Sequence, residues 1–220
     1  MGNPATTITM DRRRVLEIMG VSALAAGLFG SFLTREAFGA TRMPGDVLMN
    51  EHGVILTVQN AAEGEVRRIR QGGEIDKDRL LKMIEFFQEF GDRCHHGKEE
   101  DMYFPAAVKR NGKKVEEIVN RMEKEHVIFR GLLESVKSAL RSGDMAEKDL
   151  RLAITERLGV YSEMLYEHIE IENIELFTEI EFTAEKREEL LERFRRFENE
   201  VLGEGFHEKY KKMARDIVAG

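Results

Sequence analysis

Two stretches of the sequence combine histidine and glutamate at the spacing of one helical turn. His95 and Glu99 are four residues apart, and His168 and Glu172 repeat that spacing 73 residues further on. In an α-helix, residues four apart lie on the same face, with about 6 Å between their Cβ atoms. Imidazole and carboxylate together suit Fe, Mn, Zn or Ni. Each stretch therefore predicts one half of a metal site.

Two further histidines extend this pattern into a repeat. His52 precedes His95 by 43 residues, and His126 precedes His168 by 42 residues. Such a repeat predicts helices arranged with approximate twofold symmetry around a shared centre. Taken alone, His52 or His126 would more simply be a core histidine bonded to a carbonyl group. Taken together, the repeat predicts six metal ligands: His52, His95, Glu99, His126, His168 and Glu172.

Buried histidines and glutamates need compensation, because an isolated carboxylate in an apolar interior costs several kcal/mol or becomes protonated. Two divalent ions would supply that compensation, and each glutamate could bridge them. Six protein ligands shared by two ions leave coordination positions open for a small molecule. Cys94 is the only cysteine, so the chain cannot form an intrachain disulfide or hold a cluster on several thiolates. Cys94 itself is expected to be a plain thiol that points away from the metals.

The composition indicates a helical protein. The chain has 220 residues, of which 42% are hydrophobic and 34% charged, and only 3 are proline. Long stretches rich in Glu, Lys, Arg, Leu and Met favour an all-α fold. The net charge of −7 and the pI near 5.5 argue against nucleic acid or an anionic membrane surface as the main partner.

Turn residues divide the chain after residue 44 into five long segments with apolar stripes at helical spacing. Asp76 and Thr183 are predicted N-caps, and Pro105 should kink the second helix or mark its last turns. Short connections predict an up-down-up-down antiparallel four-helix bundle with an additional C-terminal helix. The expected helices lie near 46–70, 76–109, 113–141, 146–179 and 184–217.

The first forty residues have the features of an export signal. Asp11-Arg12-Arg13-Arg14 precedes an apolar run from Ile18 to Leu33, and the small residues Ala37-Phe38-Gly39-Ala40 follow. The paired arginines resemble a twin-arginine signal, which exports folded proteins. The apolar run is shorter than a spanning helix requires, so we expect an exported, periplasmic protein without a stable membrane span. An uncleaved N-terminal membrane anchor is the alternative.

These features predict three regions: an export signal at 1–40, a four-helix bundle at 44–180 and a C-terminal accessory helix at 184–220. The bundle region resembles the hemerythrin-like, or HHE cation-binding, domain. The resemblance lies in the ordered six-ligand pattern, including Met102-Tyr103-Phe104-Pro105 after the first His-x-x-x-Glu pair and Leu176-Phe177 after the second. It implies two non-haem Fe ions in a bridged di-iron centre, with Mn or Zn as alternatives.

The sequence departs from the oxygen carriers of that family at one position. The carriers have a second histidine four residues after the first in the third helix, where this chain has Arg130. His96 is the remaining candidate for a fifth histidine. It ranks below the other four, because one residue along an α-helix lies about 100° around its axis from His95.

Several other polar residues are candidates for the surroundings of the site. Glu51 and Glu125 precede a predicted ligand and could accept hydrogen bonds from histidine or simply be exposed. His207 lies beyond the bundle and is expected to be a surface residue. Solvated helix faces or outer hydrogen-bond partners are the expected roles of Glu100, Asp101, Glu170 and Glu175.

The resemblance implies a protein that binds O2, NO or peroxide for storage, sensing or detoxification. Two alternatives stay open: a di-iron oxidase or peroxide or NO reductase, and a periplasmic iron-binding or storage module without gas chemistry. Binding is favoured over catalysis. A purely structural bundle is the simplest competitor. The sequence identifies no redox partner and leaves open whether the chain forms a homodimer.

Overall fold

Long helices make up almost all of the chain that the structure describes. The structure is a computed structural model that describes residues 43–143 and 145–220. Within these ranges it contains helices and turns and no strand, which confirms the prediction of an all-α protein. The predicted export signal lies outside the described residues. None of the described helices is both long and apolar enough to cross a membrane.

Six helical elements follow one another within the described residues. We number them α1 (Pro44–Arg70), α2 (the continuous helical run that begins at Lys77 and ends at Asn111), α3 (Lys113–Arg141), α4 (Glu147–Ile171, continued by the π-helix Glu172–Phe177), α5 (Ala184–Arg196, continued by the π-helix Phe197–Val201) and α6 (Phe206–Ala219).

The predicted helix starts at Asp76 and Thr183 are confirmed. The Asp76 carboxylate accepts the backbone N–H of Arg79 at 2.9 Å, which caps α2, and the Thr183 hydroxyl accepts the N–H of Lys186 at 3.3 Å, which caps α5. Gly112, with φ of 72°, makes the turn between α2 and α3. Short turns thus connect the long helices.

Helix α2 changes its winding where it carries the predicted ligands. It comprises the α-helix Lys77–Phe86, the π-helices Phe87–His96 and Glu99–Tyr103, and the α-helix Phe104–Asn111. Pro105 lies in the last of these stretches, as predicted. In α4 the π-helix begins at the predicted ligand Glu172. Such π turns are rare and occur often at functional sites.

The prediction of one helix over 184–217 is wrong. The chain leaves α5 after Val201 and starts α6 at Phe206. Gly203 and Gly205 in this turn have φ of 103° and 79°, backbone conformations that glycine adopts without steric cost.

The helices pack into a bundle that includes the C-terminal pair. Helix α4 lies between α1 and α3, and both of these also contact α2. Helix α6 packs against α1 and the first part of α2, while α5 contacts the Glu99–Tyr103 segment. Leu190 and Phe194 of α5 are buried in a core cluster with Tyr103 and Phe177. Residues 184–220 therefore belong to the same compact unit, Met43–Gly220.

Candidate metal centre

The six predicted ligands lie together in the interior of the bundle. Helix α1 contributes His52, α2 contributes His95 and Glu99, α3 contributes His126, and α4 contributes His168 and Glu172. None of the six residues exposes more than 1% of its surface.

Each glutamate reaches across the centre to one histidine on either side. The two oxygens of Glu99 lie 3.0 Å from His95 Nε2 and 3.6 Å from His126 Nε2. The two oxygens of Glu172 lie 3.2 Å from His52 Nε2 and 3.2 Å from His168 Nε2. The rings of His52 and His95 lie 4.5 Å apart and those of His126 and His168 lie 4.8 Å apart. The histidines thus form two pairs, and both carboxylates span them.

The polar atoms that face the centre lack ordinary hydrogen bonds. Among the described residues, His52 Nε2, His95 Nε2 and all four oxygens of Glu99 and Glu172 have no hydrogen-bond partner. Buried polar atoms are rarely left this way, because each costs about 1–3 kcal/mol or more. His126 Nε2 and His168 Nε2 lie 3.1 Å apart, a separation that lets both bind one ion at about 2.1 Å. This donor set fits divalent cations.

The outer nitrogens of the four histidines are all held by an acceptor. His95 Nδ1 donates to Glu51 at 3.0 Å and His168 Nδ1 donates to Glu125 at 2.9 Å. An ionised carboxylate can only accept, so Nδ1 carries a proton in both pairs, and loss of the second ring proton leaves the Nε2 lone pair directed toward the centre. The two remaining pairs are His126 Nδ1 with Glu100 at 2.7 Å and His52 Nδ1 with Asn173 at 2.9 Å.

These contacts settle the roles of several outer residues. Glu51, Glu125 and Glu100 are hydrogen-bond partners of histidines rather than merely exposed carboxylates. Burial alone would raise the pKa of Glu125, but its bonds to His168 and Arg121 hold it below the usual value. Asn173 was absent from the sequence prediction. Its position directly after Glu172 was the only signal, and adjacency alone does not indicate the direction of a side chain.

Glu51 connects the centre to the C-terminal helices. Its carboxylate accepts hydrogen bonds from His95 Nδ1, from the Nζ of the fully buried Lys98, and from His207 Nε2 at 2.8 Å. Lys98 also donates to Glu198 of α5 at 2.6 Å. Although burial would raise the pKa of Glu51, Lys98 and the two histidines hold it well below the usual value. His207, predicted to be a surface residue, is half-buried, with 22% of its side chain exposed and its ring bound to Glu51.

His96 and Arg130 lie on the opposite side of the centre. His96 is 6% exposed, and its ring stacks on that of His126 with centroids 3.7 Å apart. Arg130 binds Asp92 at 2.8 Å and Glu100 at 2.7 Å. Burial and the neighbouring His126 keep the pKa of His96 well below the usual value.

Cys94 is fully buried beside Glu51, Lys98 and Glu198. Burial raises the pKa of its thiol to about 12, so the reactive thiolate is scarce at neutral pH. The ammonium group of Lys98 already supplies the positive charge between Glu51 and Glu198. This cluster therefore needs no metal ion.

Aromatic side chains close the centre from several sides. The rings of Phe177 and His52 are 5.5 Å apart, those of Phe129 and His168 are 5.1 Å apart, and those of Phe104 and His126 are 6.1 Å apart. The Tyr103 hydroxyl donates to the Leu176 carbonyl at 3.0 Å. These rings make part of the wall around the centre apolar.

The fold and the centre define a helical cation-binding protein with paired histidines and shared carboxylates. Residues 43–180 match the family model of the hemerythrin HHE cation-binding domain. The match covers more than half of the chain, and the protein therefore belongs to this family. It ends before α5, so the C-terminal helices lie beyond the matched region. No curated protein and no solved structure matches the chain.

Metal affinity is expected to rise with pH across the neutral range. Burial alone would lower the pKa of His95 and His168, but Glu99 and Glu172 are the main groups that raise these values to about 10 and about 9. At neutral pH a metal ion must therefore displace a proton from each imidazole, and this competition weakens as the pH rises.

Competition with a chelator for Zn²⁺ between about pH 6 and pH 8 checks this expectation. The affinity should increase by about tenfold or more per pH unit after correction for the chelator's own protonation. An affinity that does not change with pH would contradict it.

Proposed function

We propose that this protein is an exported di-iron protein that binds O2, NO or peroxide for storage, sensing or detoxification. The observation that carries the proposal is the reach of Glu99 and Glu172, each of which contacts one histidine of either pair. A single ion would need only one of the two histidine pairs. Two pairs joined by two carboxylates support a pair of ions that share both glutamates.

The chain's own residues would prepare this centre for binding. His95 and His168 keep their Nδ1 protons on Glu51 and Glu125, which directs the Nε2 lone pairs inward. When bound, two ferrous ions would supply electrons and open coordination positions. Iron is proposed over Mn because the hemerythrin family match implies it, and over Zn because Zn²⁺ has no redox chemistry.

The burial of the centre favours a small ligand over an organic substrate. The six inner residues are at most 1% exposed, and Phe104, Phe129 and Phe177 surround them. Diatomic molecules such as O2 and NO are weakly hydrated, so moving them past apolar side chains costs little free energy. A large or charged substrate would instead require the helices to separate.

We also propose that α1 to α4 alternate in direction as an up-down-up-down bundle. The support is the short connections between these helices and the packing of α4 against both α1 and α3. Helix directions in a crystal structure would test this arrangement.

The shared carboxylates predict a distinctive pattern of metal loss. Wild-type protein should hold about two iron ions per chain. Glu172→Gln should weaken both ions by about tenfold to a hundredfold or more, because it alters a ligand that both share. His52→Ala should weaken only one ion and leave about one iron per chain.

Iron analysis after equilibration with a chelator measures these losses, and Glu175→Gln is the matched control because Glu175 is exposed in the same π-helix. Equal losses in the Glu172 and Glu175 variants would contradict a shared carboxylate. Wild-type protein that binds no iron would leave only a structural bundle.

Exposure of the ferrous protein to O2 tests the gas-binding function. Near-ultraviolet ligand-to-iron absorption should appear in the fully loaded protein, and NO should change the spectrum as well. A spectrum without such bands, together with equal affinity for Zn²⁺ and Fe²⁺, would indicate a storage module instead. Repeated consumption of peroxide or NO, rather than stoichiometric binding, would indicate the enzyme alternative.

Export is proposed from the twin-arginine-like segment at residues 1–40. In a bacterial host with that pathway, the wild-type chain should reach the periplasm in a shortened form. Replacement of Arg12 and Arg13 by lysine should keep the full-length chain in the cytoplasm. Fractionation and mass determination measure both outcomes. Retention of the full-length wild-type chain in the membrane fraction would support the anchored alternative.

A further inference from the structure

The carboxylate of Glu51 uses one oxygen for the metal centre and the other for side chains further out. Its Oε2 accepts the Nδ1–H of His95 at 3.0 Å. Its Oε1 accepts hydrogen bonds from Lys98 Nζ and from His207 Nε2, the second at 2.8 Å. Because both oxygens are bound, the carboxylate cannot turn without breaking at least one of these bonds. The direction of the His95 ring therefore depends on two side chains that are not predicted ligands.

Lys98 is completely buried, and helix α5 holds its ammonium group. Glu198 accepts a second hydrogen bond from Lys98 Nζ at 2.6 Å, and the centre of the Phe194 ring lies 5.8 Å from the same atom. The preceding residue, Gly97, allows this close approach, since a Cβ there would lie 3.0 Å from the ring of Phe197. A buried charge is stable only where its partners surround it. Helix α5 thus fixes the position of the ammonium group.

His207 reaches Glu51 from helix α6. Its ring lies 5.2 Å from the ring of the fully buried Phe90 of α2. The carboxylate can only accept, so His207 Nε2 carries a proton and donates it. Arg79 of α2 also donates to the Ile217 carbonyl at 2.8 Å, near the end of α6. The His207 ring is therefore held between α2 and Glu51 by a helix that is fastened at both ends.

The acceptor of His95 differs in this respect from those of the other inner histidines. Glu125 is bound by Arg121 and Glu100 by Arg130, and both arginines belong to α3, within the bundle. Within the described part of the chain, no hydrogen bond joins these two carboxylates to a residue after 180. The outer support of His95 is thus the one that depends on α5 and α6.

We propose that Lys98 and His207 are positioning residues of the metal centre, which fix the Glu51 carboxylate and through it the His95 imidazole. This inference rests on the proposed two-ion centre. Helices α5 and α6 then control how tightly the ion next to His95 is held, while the ion next to His168 keeps its support within the bundle. The C-terminal helices are therefore a built-in control element for one of the two ions.

Two substitutions of His207 separate its hydrogen bond from its packing. His207→Phe keeps a ring against Phe90 and removes the donor, whereas His207→Gln keeps an N–H at a similar distance from the backbone. In Co²⁺ titrations followed by visible absorption, His207→Phe should weaken one of the two ions by about tenfold or more. His207→Gln should bind both ions nearly as wild-type protein does. Glu208→Gln, exposed in the same helix, is the matched control and should change neither affinity.

Lys98→Met removes the buried charge between Glu51 and Glu198. It should weaken the same ion at least as strongly as His207→Phe does, because Glu51 then loses both a donor and its compensating charge. Unfolding of the apo proteins, followed by circular dichroism, checks that each variant is folded.

A second substitution identifies the ion that is affected. His168→Ala should leave about one ion, next to His95, and the addition of His207→Phe should weaken that ion further. His52→Ala should leave the ion next to His168, and the addition of His207→Phe should then have almost no effect. A variant that merely loosened the bundle would weaken the remaining ion in both backgrounds.

Three results would overturn the inference while the two-ion centre stands: unchanged affinities in His207→Phe, equal losses in His207→Phe and His207→Gln, or a loss of the same size in both backgrounds. Wild-type protein that binds no Co²⁺ would instead reject the proposed function itself. If Lys98→Met does not fold, the comparison of the two His207 variants decides the matter.

Discussion

The interior of this protein contains two carboxylates whose oxygens find no hydrogen-bond donor among the described residues. Glu99 and Glu172 are completely buried, and they face imidazole nitrogens at 3.0 to 3.6 Å. Glu99 and Glu172 raise the pKa values of His95 and His168, so without metal a second proton on each of these imidazoles would supply a donor to the carboxylates and part of the missing positive charge. Divalent ions would replace these protons with more charge in the same space. The helices therefore enclose two negative carboxylates that the surrounding side chains neutralise only in part.

The outer hydrogen bonds determine which atoms can serve as ligands, and they also join the C-terminal helices to the centre. Glu51 is bound by His95, by Lys98 and by His207 of α6, and Lys98 is bound by Glu198 of α5. A fully buried lysine is tolerated only because it contacts two carboxylates. Helices beyond the matched family region therefore help to hold the histidine that faces one of the two ion positions.

Much of the fold and the inner site could be predicted because both depend on local spacing. The step from His95 to Glu99 and its repeat are set by helix geometry, and the caps at the helix starts follow from local chemistry. The π turns could not be predicted, since packing rather than spacing determines them. Partners distant in sequence, such as His207 on Glu51, depend on how the last helices dock. The break between α5 and α6 had a signal in Gly203 and Gly205, but a continuous apolar stripe outweighed it.

Anomalous diffraction at the iron edge, from crystals of the iron-loaded protein, tests the central claim most directly. Two peaks should appear, one next to His52 and His95 and the other next to His126 and His168, with Glu99 and Glu172 between them. A single peak, peaks away from these side chains, or carboxylates that contact only one ion would contradict a shared two-ion centre.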